Sequence, residues 1–439
     1  MVGASILSLA TLAGIAAALP ASAPRNLHFD QRGLKRLTNS TLAGRAIMPG
    51  SFRGVNLGSW LLSEPYMNID EWHNEMGGDW LCGDCTQCVN DDFRLTAKLG
   101  QDQANTVYAK HYDTFINQDD VNLMKQYGIN SVRIPLGFWI IEETVNADET
   151  YPRGGLDFLR SRSKMFKDAG ISILLDLHAA PGAQIARNSF TGRCVEQAQF
   201  WQPSNFDRMN HAAARLTEIV HAEPDNFGSV WGLQALNEPP TNAAETPGYW
   251  DFMNGFNAAV RNKENDMGVP DDQRISAVYM DVSWQWQGEA ANAAYIANGG
   301  NAYDSHVYYS FGAPCGNNGC VEENLQSHIN FACQGGGGRI ENDAKVYNTP
   351  SFLGEFWIMP LGNTCNAFDQ GCIRAFGDAQ KRGYSPEGGH GGAGWYFWSW
   401  KMTNSDQDGS NHLRSYKDAV QQGYLPENAA DYFNAGICG

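Results

Sequence analysis

Glu238 and Glu355 are the carboxyl groups of this 439-residue chain whose settings suit joint catalysis. Each closes a short apolar run, one in Asn237-Glu238-Pro239 and the other in Gly354-Glu355-Phe356. Two carboxyl groups on opposite sides of a sugar suit glycoside hydrolysis. One protonates the leaving oxygen, and the other attacks the anomeric carbon. A separation of about 5–5.5 Å gives retention through a covalent intermediate. Arg133 near Glu355 is expected to keep it ionised, because an adjacent cation lowers a carboxyl pKa. His306 and Tyr308 are expected to orient Glu355 and tune the pair. Asn237 is placed to hydrogen-bond a sugar 2-OH, a contact that strengthens at the transition state.

Such chemistry needs a scaffold that gathers strand ends. Eight short apolar segments recur, at 52–58, 131–135, 172–178, 230–238, 276–283, 303–308, 351–356 and 394–400. Helical stretches lie between them, roughly at 117–127, 155–169, 206–222, 248–267, 286–298, 322–333, 369–382 and 415–422. In 206–222, Met209, Ala213, Leu216 and Val220 share one helical face. Eight strands alternating with helices predict an α/β fold. The parallel sheet would close into a (β/α)8 TIM barrel, a single domain with disulfide-bearing loop insertions. A doubly wound open sheet is the alternative, weakened because no glycine-rich dinucleotide fingerprint follows the first strand. Barrel active sites sit at the C-terminal strand ends. There the sequence places Arg133, His178 (after Asp176-Leu), Asn237, Glu238, His306, Tyr308, Glu355 and Trp398. Singly each has a plainer reading as a solvated charge, an ion-pair partner or a buried histidine. The ordered set is what points to chemistry. Glu238 and Glu355 lie 117 residues apart, or three strand–helix units, and strands four and seven face each other across a small barrel.

This set resembles glycoside hydrolase family 5. The carrying residues are Arg133 in SVRIP, His178 in LLDLHAAPG, Asn237-Glu238-Pro239, His306-Val-Tyr308, Glu355 in FLGEF, and Trp398. The likeness spans roughly residues 52–422 and implies Glu238 as acid/base and Glu355 as nucleophile. Arg53-Gly-Val-Asn-Leu-Gly-Ser-Trp60 and Glu64-Pro65 resemble the fungal exo-β-1,3-glucanase type and its relatives, in which the matching Glu contacts the terminal glucose. The chain departs from that pattern with Gly-Ser59-Trp for Gly-Gly-Trp and Glu-Pro-Tyr66 for Glu-Pro-Trp. Gln101-Asp102 heading a helix, Phe190-Thr-Gly192 and the cysteine-bearing insertion 82–88 look closer to fungal endo-β-1,6-glucanases. The resemblance therefore implies β-1,6-glucan as substrate, with an exo-β-1,3-glucanase or a diglycosidase as alternatives. It implies no cofactor and no metal. The rival of another class is a secreted glucan-binding protein on a silent hydrolase scaffold. Both carboxylates are present, which counts against it. A serine hydrolase is disfavoured by the lack of a Gly-x-Ser-x-Gly elbow.

Composition agrees with a neutral substrate. Charged residues are 18% of the chain and the formal net charge is −17. Nucleic-acid and anionic-membrane partners need basic surface, so neither is expected. Aromatics are 12%, with 13 Trp. Trp139, Trp201, Trp284, Trp286, Trp357 and Trp398 fall near predicted strand ends, where indole faces either stack on sugar or pack in the core. Trp284-Gln-Trp286 is a candidate cleft wall. The glycines 335–338 lack the Lys-Ser/Thr of a phosphate loop and are read as a surface turn.

Residues 1–18 read as a secretory signal peptide, 19–50 as a propeptide and N-terminal extension, and 51–439 as the catalytic domain. Lys35-Arg36 is either a dibasic processing site or an ordinary surface pair. Asn39-Ser-Thr is a glycosylation sequon. The ten Cys fit secretion and five disulfides. Cys82, Cys85 and Cys88 have no second C-x-x-C with which to build a zinc site. Cys315/Cys320 and Cys365/Cys372 look like local bridges, leaving Cys194, Cys333 and Cys438 for longer ones. A secreted monomer acting on β-glucan is the expectation.

Overall fold

The computed structural model describes residues 50–80, 82–280, 301–342, 350–404 and 409–439. All of these fall in one compact unit, Thr41–Gly439. The signal peptide, nearly all of the propeptide segment, Lys35-Arg36, the sequon, the helix candidate 286–298, Trp284 and Trp286 lie outside the described residues.

Eight parallel strands form the centre: β1 (Phe52–Asn56), β2 (Ser131–Gly137), β3 (Ser172–Ala179), β4 (Val230–Gln234), β5 (Ser276–Met280), β6 (Asn301–His306), β7 (Ser351–Phe356) and β8 (Gly392–Phe397). They close into a barrel in the order β1-β8-β7-β6-β5-β4-β3-β2. The expected (β/α)8 fold is therefore present. The sequences explain it locally. β2 and β3 are buried along their whole length, as strands covered on both faces must be. Helix Pro203–Ala222 starts with proline in its first turn and buries Met209, Ala213, Leu216 and Val220. The barrel floor is packed by Phe52, Leu174, Trp231, Val278, Ala302, Phe352 and Tyr396. Above it lies a polar layer containing Arg133, Asp176, Gln234 and Asp304, all buried. Gly354 makes room for that layer, since a Cβ there would sit 2.0 Å from Asp304 Oδ1.

Several expectations are corrected. β4 stops at Gln234 rather than reaching Glu238, whose φ of +38° is incompatible with a strand. β1 ends two residues short of the expected 52–58, and β8 ends before Trp398. Helix Asp92–Leu99, just after the cysteine-rich insertion, is additional. The glycines 335–338 form a turn, but a buried one. Their φ values are +66°, +68°, +68° and +92°. They lie under the hairpin closed by Cys315–Cys320, with Asn317 N–H donating to Gly337 O at 2.9 Å.

Five disulfides are formed: Cys82–Cys88, Cys85–Cys194, Cys315–Cys320, Cys333–Cys438 and Cys365–Cys372. The C-x-x-C-x-x-C sulfurs are thereby bonded to sulfur. Among the described residues, no helix is long and apolar enough to cross a membrane.

The helix that follows the insertion carries a titrating group. Asp92 is fully buried, and its carboxylate accepts the Ser63 N–H at 3.1 Å. Burial pushes its pKa up from 3.8 to about 7. A raised carboxyl pKa means the native state holds the proton more tightly than the unfolded chain. The resulting stability is fully present below about pH 4 and is lost as pH rises through about 7. At one pKa unit per 1.36 kcal/mol, the contribution is on the order of 4 kcal/mol at most. Asp92→Asn cannot ionise, so its melting temperature should vary less than wild type between pH 4 and 8. Parallel melting curves across that range would refute this account.

Candidate active site

Arg133 organises the polar layer. It lies on β2 with no exposed surface, and its neighbour in register on β1 is Asn56. Nε donates to Gln234 Oε1 at 2.9 Å. Nη1 donates to Asn56 Oδ1 at 3.0 Å and to Glu355 Oε1 at 2.8 Å. Nη2 donates to Asn237 Oδ1 at 3.0 Å and faces Asp176 Oδ2 at 3.0 Å. The guanidinium thus makes four hydrogen bonds and an ion pair with Asp176. Burial works against its charge, but Asp176, Glu355 and Asp304 more than offset this and raise its pKa. The bond to Arg133 also fixes which end of the Asn237 amide faces the guanidinium.

His306 links the two glutamates. In register, His306 of β6 pairs with Glu355 of β7. Its Nδ1 lies 2.7 Å from Glu238 Oε1 and 3.4 Å from Glu355 Oε2, while Nε2 lies 3.2 Å from Asp304 Oδ2. Burial opposes its protonation, yet Glu355, Asp304 and Glu238 outweigh burial and raise it well above the usual histidine value. Both ring nitrogens face carboxylate oxygens, a setting that favours the doubly protonated ring. Tyr308 donates its hydroxyl to Glu355 Oε2 at 2.7 Å. Oxygens of Glu238 and Glu355 lie within 4.8 Å of each other.

The two carboxyl groups are pushed apart in pKa. For Glu238, burial is the largest influence and raises it, but the His306 hydrogen bond and the charges of His306, His178 and Arg133 bring it down. For Glu355, burial and repulsion from Glu238 outweigh His306 and Arg133, and the net direction is up. Arg133 acts on Glu355 in the expected direction, towards the charged form, and burial acts against it. Groups this close hold their protons as a pair.

Around the pair lies a cavity of about 710 Å³. Glu64, His178, Asn237, Glu238, His306, Tyr308, Glu355 and Trp398 all line it, and Arg133 stands beneath. Trp284, expected as a wall, lies outside the described residues. His178 donates from Nδ1 to Asp176 Oδ2 at 2.6 Å and stacks on Trp398 at 5.8 Å between centroids. Trp398 donates from Nε1 to Tyr66 OH at 3.0 Å. Glu64 is pushed well above the usual carboxylate range by burial and then by Glu355, and its Oε1 has no hydrogen-bond partner among the described residues. The two departures from the family pattern become intelligible here. Ser59 sits at φ +60°, where the pattern has glycine, and its hydroxyl bonds Glu64 N–H at 3.0 Å and Asn68 Oδ1 at 2.9 Å. These bonds offset the left-handed backbone. Tyr66 supplies the acceptor for Trp398 that an indole could not supply.

The aromatic candidates divide. Trp357 lines the cavity and meets Phe311, a residue 78% exposed at its mouth that sequence reasoning missed. Trp139 is core, stacked on Tyr151 at 4.3 Å. Trp201 packs on Tyr249 and Phe206, away from this cavity. Asp176 and Asp304 were also missed as site residues. Their signal was legible, because Asp-Leu-His178 and Asp-Ser-His306 each repeat D-x-H, which puts both side chains on one strand face.

Glu238, His306 and Glu355 hold three potential ligand atoms, yet the His306 nitrogens already face Glu238 and Asp304, and Glu355 Oε1 is taken by Arg133. The set suits proton traffic rather than a cation.

No family model matches the chain. It is 30% identical over 427 residues to glucan endo-1,6-beta-glucosidase B of Emericella nidulans, covering 93% of this chain and 94% of the relative. It is 29% identical over 385 residues to a probable glucan 1,3-beta-glucosidase A of Neosartorya fischeri, covering 80% and 83% respectively. The rutinosidase from Aspergillus niger shares the fold, with a TM-score of 0.64, 18% identity and coverage of 88% of this chain and 98% of that one. The relatedness over nearly full length and the barrel agree: the chain belongs to the fungal glucanase branch of glycoside hydrolase family 5.

Proposed function

We propose that this enzyme is a retaining endo-β-1,6-glucanase that works by double displacement, with Glu355 as nucleophile and Glu238 as acid/base. The carrying observation is that carboxylate oxygens of the two residues lie within 4.8 Å of each other. That closeness fits a retaining pair better than an inverting one, whose carboxyl groups stand about 6.5–9.5 Å apart. Glu355 attacks the anomeric carbon while the bond to the leaving oxygen breaks, and the proton of Glu238 goes to that oxygen. Water then attacks the glycosyl ester, with Glu238 taking its proton back.

Attack requires the proton on Glu238, which burial favours, and the charge on Glu355, which His306 and Arg133 favour. Arg133 and Tyr308 both donate to Glu355, and such bonds are strongest to its charged form, the one that attacks. His306 faces both carboxylates and couples them. Glu64, which burial disposes towards the protonated form, is placed to hydrogen-bond a sugar hydroxyl at the glycone end. Asn237 serves the 2-OH, and His178 with Trp398 forms an aromatic wall.

The β-1,6 linkage is supported by the E. nidulans relative; the 1,3-β-glucosidase likeness supports exo-β-1,3 action as the alternative. Side-by-side digestion of pustulan and laminarin tests the choice. Oligosaccharides released from pustulan alone are expected, and glucose alone from laminarin would overturn the linkage. Proton NMR of the first product should show the β anomer. An α product would remove Glu355 as nucleophile. Five disulfides fit export, and we read residues 1–18 as its signal and the site of action as extracellular.

A further inference from the structure

A second cavity, of about 680 Å³, opens on the loops after β3 and β4. It is not part of the catalytic cavity, but the two share walls. Asn188 lines the first and Ala186 the second; Glu238 lines the first and Pro240 the second. At both boundaries two residues of chain carry the lining from one cavity to the other.

The chemistry of the second cavity is that of a neutral sugar site. Its lining includes Gln197, Gln199 and Gln202, the carboxylates Glu196 and Glu245, and the indole of Trp201. Among the described residues it contains no Lys or Arg, which disfavours anionic ligands. Amides and carboxylates in a concave wall are what hydroxyl-rich rings bind, and the inward-packed Trp201 backs that wall.

The site is also built rather than incidental. Trp201, only 9% exposed, donates from Nε1 to Gln184 O at 2.8 Å. Gln184 in turn donates to His178 O at 2.7 Å and Asn237 O at 3.0 Å, behind the catalytic residues. On the other rim, Thr86 donates to Glu196 Oε1 at 2.9 Å, and Arg187 pairs with Glu196 and with Asp84. The Cys85–Cys194 bridge clamps the insertion to this loop. The insertion that distinguishes this chain therefore serves to fix one wall of the cavity.

We propose that the second cavity is a distal subsite that holds a neutral glucan segment continuing from the catalytic cavity. This rests on the glucanase reading above. It accounts for why an enzyme cutting within chains would carry the insertion.

Two variants test it, neither touching the catalytic residues. Gln197→Ala/Gln199→Ala removes two exposed amides. Ala198→Trp fills the cavity. Kinetics are compared on long pustulan and on gentiotriose. On the polymer, KM should rise about five- to tenfold in both variants, the weight of one or two neutral hydrogen bonds. On the trisaccharide, kcat/KM should stay within about twofold. An unchanged polymer KM in both variants, or equal losses on both substrates, would overturn the subsite. If wild type cleaves laminarin instead, the linkage reading fails separately. The same comparison then runs on laminarin against laminaritriose, with the same outcomes deciding.

Discussion

Glu355→Ala should lower kcat on β-glucan roughly 10⁵-fold, the scale on which loss of a catalytic nucleophile acts in hydrolases. The barrel should survive, because Glu355 borders the cavity and its removal leaves space open to solvent. Added azide should then restore turnover. A small anion can occupy the position of the lost carboxylate and attack the same face of the sugar, while Glu238 still protonates the leaving oxygen. The product would be an α-glycosyl azide. Glu238→Ala differs in a diagnostic way. Glu355 still forms the ester from substrates with good leaving groups, and azide then opens it to give the β-azide. A β-azide from Glu355→Ala, or residual activity above about one part in a hundred, would reverse or remove the assignment.

Arg133→Met should destabilise the fold by about 3–5 kcal/mol, the usual cost of stranding a buried charge partner. Three carboxylates, Asp176, Asp304 and Glu355, lie within 3.5 Å of the guanidinium. Removing the cation leaves Asp176 without its ion pair, and Asp304 and Glu355 with His306 in its place. Arg133→Lys separates charge from geometry. It restores one positive point but not the fork that also serves Asn56, Gln234 and Asn237. Urea unfolding should place Lys closer to Met than to wild type, and kcat of the Lys variant should fall at least about a hundredfold as Glu355 loses its fixed donor. Wild-type stability in the Lys variant would show that charge alone holds this layer.

The strands and the central pair were legible because they rest on local pattern. Apolar runs ending in Arg133, His178, Glu238, His306 and Glu355 demanded a structure that gathers strand ends, and the barrel is one. What lay hidden depends on distance through space. Nothing in the order of residues says that burial will outweigh Arg133 at Glu355. Trp139 and Trp201 look like Trp357 along the chain, yet loop packing turns the first two inward. The partner of Cys85 is 109 residues away and is chosen by the fold of two loops. Asp304 and Asp176 fall between these cases. Their D-x-H repeat was visible, but its value shows only once Arg133 is seen between them.

The buried glycine run 335–338 has a consequence for mutational tolerance. Four successive left-handed residues would each cost about 1–2 kcal/mol with a side chain. A Cβ on Gly337 would also meet the Phe331 ring at 2.4 Å, and one on Gly338 would meet Asn317 at 2.4 Å. A saturation library should therefore find these positions among the least permissive in the chain, although none touches the catalytic pair. Loop engineering to retune product length has more freedom in the exposed Gln197 and Gln199 than along the hairpin that rests on these glycines.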